Sequence, residues 1–457
     1  MNRRTIPATP TDIPYFHAER TSTHRPDVWL VLAALAAVLF AGRAGAQEIP
    51  RPSYARQVQK TTQPSVANFK VGEVLLRVEA NLGVEFVDNV DSTPNKKADL
   101  IVTPQLALNA TWAVTKLNTL QFRAGLGYAY YVNNPNLNRQ TTTITPDSAL
   151  SFNVYAGDVK INFHDQFSLQ QEAISQGTLS GVAQIERFTN TIGFSVLWDT
   201  NDIIWNFGYD HFTFITLGGA NSSSGTLAAN IARLDHSTDQ FSASMAVKVN
   251  SALIAGVEAT ASYSDYPAQP ASNFTSISMG PYLEFQVTKY THAFVSGGYK
   301  GYFSGANAPG SVAVDSTVAA QPASGDPSGF YGNISIIHRM NRFYSDRLDI
   351  AHTDDVEGLS GHTQVNSVRY GGTWRVNEKI SLAAGLFYED ARIISGSALG
   401  GAVASDFSRF GGSLSTGFQL SQRVGVSLGY QYLNKSAVRE SESYSQNRVT
   451  FSLGYRF

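Results

Sequence analysis

Residues 425–429 read Gly-Val-Ser-Leu-Gly, the spacing of a nucleophile elbow, in which a strand turns sharply into a helix and holds the serine hydroxyl clear of the sheet. Here Val424, Val426, Leu428 and Tyr430 carry an alternating strand pattern straight through the motif. The required turn is therefore missing, and Ser427 reads as a small residue on the polar face of a strand. The other hydrolytic arrangement would pair a serine with a histidine across neighbouring strands, but the sequence places no such serine beside His164, His211 or His292. Asp88, Asn89 and Asp91 could offer oxygens to calcium, yet they lack the alternating ligand series of a calcium loop and read as an exposed polar turn. The chain has no cysteine, which excludes a thiol nucleophile, a disulfide framework, an iron–sulfur cluster and a thiolate zinc site. No catalytic residue, metal site or cofactor is expected.

Charge in register is more informative. On the polar parity of the expected strands lie Arg77, Arg123, Lys160, Lys300, Arg369, Arg375, Arg409 and Arg448, with Glu79, Glu85, Asp210, Glu258, Glu284 and Glu389. If the sheet closes on itself, Arg77, Arg369, Arg375, Arg409 and Arg448 come onto one arc. A row of arginines on a pore wall attracts anions or anionic sugars. The alternative is that these arginines pair with Glu79, Glu85 and Glu389 and brace the wall.

The elements that would hold them are strands. From Val159 to Gln170, Val159, Ile161, Phe163, Phe167 and Leu169 alternate with Lys160, Asn162, His164, Gln166, Ser168 and Gln170, and only Asp165 breaks the pattern. Segments like this predict eighteen strands, at 74–87, 99–112, 119–131, 147–156, 159–170, 187–198, 203–216, 238–249, 252–263, 274–287, 291–302, 330–339, 343–353, 363–375, 380–390, 406–420, 424–433 and 444–457. Short polar turns, such as Gly157–Asp158 and Asn377–Lys379, alternate with long loops, such as 217–237 and 303–329. A sandwich has no reason to put every tight turn at one end. An up-and-down barrel in a membrane does, because its two rims face different compartments. Tyr128, Tyr130, Trp198, Trp205, Tyr263, Tyr299, Trp374, Tyr430 and Tyr432 fall near strand ends, where aromatic girdles sit. The expected fold is all-β, a transmembrane up-and-down antiparallel barrel of 16 to 20 strands over 74–457.

Composition agrees. Of 457 residues, 43% are hydrophobic and 15% charged, with a net charge of -2, so a strongly basic nucleic-acid binder is excluded. Val28–Gly42 is an apolar run, preceded by Arg20 and Arg25 and followed by a small-x-small site ending at Ala46. Residues 1–46 are therefore expected to be a signal peptide, with the mature chain starting at Gln47. Its removal leaves 29 basic against 33 acidic residues. Residues 47–73, with Pro50, Pro52 and Pro64, read as a flexible periplasmic lead-in.

Residues 75–90, LLRVEANLGVEFVDNV, followed by ADLIVTPQLALNA and LQFRAGLGYAYY, resemble the opening of the β-barrel porin 2 family of outer-membrane proteins. The resemblance covers about sixty residues, chiefly the Asp88-Asn89 pair and the strand holding Pro104, and implies an outer-membrane barrel, in some members linked to exopolysaccharide operons. The segment Val449–Phe457 ends in Tyr455 and Phe457 on one face and resembles the signal read by the outer-membrane barrel assembly machinery. The expected function is passive passage of small hydrophilic solutes across the outer membrane of a Gram-negative bacterium, in contact with lipid and without turnover chemistry. The alternatives are a component of exopolysaccharide export or a structural barrel. Asp315 and Asp326 in the longest loop are expected to fold inward and narrow the pore against the arginine arc.

Overall fold

The computed structural model describes residues 68–138, 142–172, 185–219, 234–268, 270, 273–304, 328–357, 361–395 and 406–457. The first third contains β1 (Phe69–Val71), β2 (Val74–Val87), β3 (Asp99–Ala113), β4 (Thr119–Tyr128), β5 (Tyr130–Tyr131), β6 (Thr142–Ile144) and β7 (Ala149–Ala156). Next come β8 (Val159–Glu172), β9 (Ile185–Asp199), β10 (Ile203–Gly219), β11 (His236–Asn250), β12 (Leu253–Asp265), β13 (Phe274–Thr288) and β14 (Thr291–Ser304). The last are β15 (Ser328–His338), β16 (Tyr344–Glu357), β17 (Gly361–Arg375), β18 (Ile380–Ser395), β19 (Phe407–Gln419), β20 (Val424–Ala437) and β21 (Tyr444–Arg456). The expected signal peptide, most of the expected lead-in, and Asp315 and Asp326 lie outside the described residues.

Neighbours in sequence pair antiparallel, and the ring closes where β2 pairs with both β3 and β21. β4 with β5, and β6 with β7, each make one interrupted stave, so the barrel has eighteen staves. At a strand spacing of 4.8 Å and a tilt near 40° that implies a backbone diameter of about 35 Å, too wide for side chains to fill. β1 is an addition to the seam rather than a stave. It pairs Phe69 with Leu76 through a turn at Gly72, on the edge of β2 beyond the last β21 pair, Glu79 with Arg456. The end of the expected flexible lead-in is thus a short strand. β21 is paired on both sides and is not an edge.

Register fixes which face each side chain occupies. Leu82, Val84 and Phe86 of β2 lie opposite Leu453, Phe451 and Val449 of β21, all on the outside. Trp198 pairs with Trp205, and Trp374 with Leu382, near the short-turn rim. Tyr128, Tyr130, Tyr263 and Tyr299 are exposed on the outside nearer the other rim. An apolar outer band between two aromatic belts is the arrangement that hydrocarbon requires, since lipid cannot hydrogen-bond a polar side chain. Asp165 sits within this band, where its Oδ1 accepts from Asn190 Nδ2. His211 also faces outward, with Asp239 and Tyr209.

The tight turns are built by their own polar side chains. Asn377 Oδ1 accepts from the N–H groups of Lys379 and Ile380, Asn341 Oδ1 from Phe343 and Tyr344, Ser421 Oγ from Arg423 and Val424, and Thr288 Oγ1 from Tyr290 and Thr291. These side chains replace the strand ladder at each reversal. The two-residue turn after β7 uses Gly157 at a φ of 59°, the left-handed region. One close approach also depends on glycine. A Cβ on Gly280 would stand 2.1 Å from the Gly297 carbonyl oxygen, and one on Gly298 would stand 2.2 Å from that of Met279.

The other rim is clasped at the seam. The Asn447 N–H donates to Asp88 Oδ1 at 2.6 Å, and Asn447 Nδ2 and Lys96 Nζ donate to Asp88 Oδ2 at 2.8 and 2.9 Å. Asn89, fully buried, donates through Nδ2 to the carbonyls of Thr93 and Ser445, while its own carbonyl accepts from Gln446 Nε2. Asp91 pairs with Lys97 at 2.7 Å. The segment read as an exposed polar turn is therefore a closure device, joining residues more than 350 positions apart. Burial alone would raise the Asp88 carboxyl, but the hydrogen bonds from Lys96 and Asn447 outweigh it and hold the group below its ordinary value of 3.8. A carboxyl depressed on folding stabilises fully above that value, and its contribution drains away as pH falls through the lower folded value. Asp88→Asn should lower the thermal unfolding temperature near neutral pH, and its gap from wild type should narrow below pH 3.8. A gap that stays constant through acid titration would show that Asp88 does not act through its charge.

Candidate functional site

The inner face is polar along nearly every stave. From β16 round to β2 it carries Arg347, Arg369, Arg375, Arg409, Lys435, Arg448, Arg456 and Arg77, each in register with inward neighbours. The five arginines picked out from parity all lie on this arc. Arg369 Nη2 bonds Glu389 Oε1 at 2.7 Å, and Arg409 Nε bonds the other oxygen, Oε2, at 2.9 Å. Arg448 pairs with Glu85 at 3.4 Å, Arg77 and Arg456 both pair with Glu79, and Arg347 forks onto Asp349. Bracing and lining are thus both present. Because Glu79 and Glu389 each serve two arginines, the cations on this arc outnumber the carboxylates paired with them.

The members differ in access. Arg409 and Glu389 are buried, with side chains 10% and 5% exposed, while Arg369 is 43% exposed. Buried guanidiniums hold the carboxylate in place and the open one presents charge to the lumen. Lys435 lies beside Arg409 in register, packed 4.7 Å from the Phe407 ring centroid, which offsets part of the like-charge cost.

Further round the ring, the wall of β10 to β14 carries Asp210, Glu258 and Glu284 on the inside. Tyr331 reaches from β15 across Gly298 and Gly280 to Glu258, with its hydroxyl 3.3 Å from Oε1. The flat ring covers a stretch of wall that has no side chains of its own. Next to this wall His164 Nε2 meets Asp210 Oδ1 at 2.7 Å and Nδ1 meets Asn162 Oδ1 at 3.1 Å. Ser151, its cross-strand neighbour, instead accepts from Asn162. Among the described residues no serine hydroxyl bonds a histidine ring, and no group of three acidic or histidine side chains could hold a metal ion. Ser427 lies mid-strand in β20, between Gly417 and Ser452. Tyr455 faces outward at the end of β21 and packs edge-on against Phe457, with centroids 5.2 Å apart.

Arg347, Arg456 and Lys435 escaped the sequence reading. Asp346 and Arg347 are adjacent, so both faces of that strand look polar, and Lys435 follows the predicted end of its strand.

No protein-family profile and no curated protein sequence matches the chain. Among solved structures, the chain is similar to OccK5 (OpdH) of Pseudomonas aeruginosa, at 11% identity and a TM-score of 0.46 over 85% of this chain and 99% of that one. OpdQ of the same organism gives 8% and 0.45 over 85% and 100%. OmpT, an outer membrane protein of Vibrio cholerae, gives 11% and 0.39 over 85% and 99%. The barrel itself rests on the strand register of this chain and not on these likenesses.

Removing the shared carboxylate should show what holds the arc. Glu389→Gln leaves Arg409 buried beside an uncharged amide and should cost about 3 kcal/mol, read as a lower denaturant midpoint for unfolding from detergent micelles. Arg375→Ala, with no ion-pair partner among the described residues, should change the unfolding free energy by less than about 0.5 kcal/mol and leave the midpoint nearly where it is.

Proposed function

We propose that this protein is an outer-membrane porin-like channel for passive passage of small hydrophilic solutes, with a preference for anionic over cationic ones. The observation that carries the reading is the combination of an apolar outer band with an inner wall of charged and hydroxyl side chains around a bore too wide for those side chains to close. No covalent step is needed. Solute moves down its gradient, and the wall sets which charges enter.

The preference arises from the arc. Shared carboxylates leave positive charge in excess on one side of the lumen, and low-dielectric walls focus that field into the bore. Export through the segment ending at Ala46, assembly through the terminal aromatic pair and the resemblance to the β-barrel porin 2 family belong to the same reading. The mature protein should begin at Gln47 on N-terminal sequencing.

Planar-bilayer recording tests the proposal. The purified chain should conduct alone, and in a potassium chloride gradient its reversal potential should have the sign of anion preference. The double substitution Arg369→Ala, Arg375→Ala should move that potential toward zero. A barrel that inserts but stays silent, together with loss of polymer release on gene deletion, would support exopolysaccharide export instead.

A further inference from the structure

The inner wall of β12 to β14 contains a polar pair that passive conduction leaves unused. Glu284 faces the lumen, is 4% exposed, and its Oε1 has no hydrogen-bond partner. Ser296, 5% exposed, is diagonal to it on the next strand, and its Oγ also has none. Their surroundings are apolar. Ile254 and Phe294 are the cross-strand neighbours of Glu284 on either side, and Tyr282, two residues before it, is the neighbour of Ser296. Tyr282 also packs with Ile204 and Ala246, against which Leu197, Ile254 and Phe294 lie. Lys248, one stave beyond Ile254, is held by both oxygens of Asp199 at 2.7 and 2.8 Å.

A buried carboxylate oxygen without a donor is costly, and such groups are rare in folded proteins. Two unpartnered polar groups side by side in an apolar patch form half of a hydrogen-bonding arrangement. The missing half must donate to the carboxylate and can exchange a hydrogen bond with the serine. The rings of Tyr282 and Phe294 are 5.8 Å apart between centroids and tilted by 33°. An aromatic pair beside a carboxylate favours a cation, and the partly buried Ile254 and Leu197 offer contact to a hydrocarbon frame.

We propose that the wall around Glu284 and Ser296 is a binding subsite for an organic ammonium ion carried on an aromatic or short aliphatic frame. The ammonium group donates to Glu284 Oε1 and to Ser296 Oγ, and lies against the rings of Tyr282 and Phe294. The frame rests on the apolar patch toward β10. Admission requires the two rings to part. The subsite rests on the lumen being open to solutes, and it differs from the arginine arc in both charge and position. Anionic solutes would follow one wall while amines pause on the other.

The probe is benzylammonium, titrated calorimetrically into the purified full chain in detergent. Wild type should bind it, Glu284→Gln should weaken binding at least about tenfold, and benzyl alcohol, which has the same frame without the charge, should also bind at least about tenfold more weakly. Phe294→Leu keeps the carboxylate and most of the apolar volume, and should weaken binding by about threefold to fivefold. It keeps the test open if Glu284→Gln does not fold. Asp165→Asn, on the outer face, should bind like wild type. Equal binding by wild type and Glu284→Gln, equal binding of amine and alcohol, or no binding to wild type would each overturn the subsite. Conductance of the same preparation separates the two proposals. A barrel that conducts without binding keeps the channel and loses the subsite, and one that binds without conducting does the reverse.

Discussion

A backbone amide or carbonyl facing hydrocarbon without a partner costs several kcal/mol, and every other feature of this molecule is arranged around avoiding that. A sheet meets the condition only by closing. The seam between β2 and β21 is therefore the most consequential pairing in the structure, and it is reinforced at both rims. At one, Asp88 and Asn89 fasten β2 to Asn447, Ser445 and Gln446. At the other, β1 takes up the edge of β2 where β21 ends, and the Phe457 N–H reaches the Val78 carbonyl at 3.3 Å.

Closure splits the side chains into two populations with opposite demands. Those outside meet lipid and are mostly apolar, with Asp165 and His211 held by Asn190 and Asp239, and those inside are free to be charged because most find a partner across a strand or in water. The ion pairs of the arc illustrate the second case. Glu389 accepts from two arginines, one buried and one open, so a single carboxylate both stiffens the wall and leaves cationic charge facing the bore.

The same split explains how much of the molecule is legible in its sequence. Strand ends at the tight turns fall within a residue or two of expectation, since alternation continues to the rim and Asn, Ser or Thr marks the reversal. At the long-loop rim several strands run further, to Glu357 and not 353, to Ser395 and not 390, and to Ala437 and not 433. Beyond the bilayer the outer face no longer needs to be apolar, so alternation fades while pairing continues, and Lys435 was lost with it. The inward parity of Glu284 and Arg409 was legible. That Arg409 is satisfied and Glu284 is not depends on cross-strand neighbours, and so does the clasp between Asp88 and Asn447. No local pattern encodes a partner hundreds of residues away.

The width of the bore gives the shared carboxylates of the arc a further consequence. In salt of about 0.15 M a charge is screened within about 8 Å, and at about 0.01 M within about 30 Å. The lumen is about 35 Å across its backbone, so the reach of the excess positive charge changes from a layer along one wall to most of the cross-section as the medium is diluted. In a brine the field of the arc would reach only ions close to the wall. In fresh water it would extend over most of the bore.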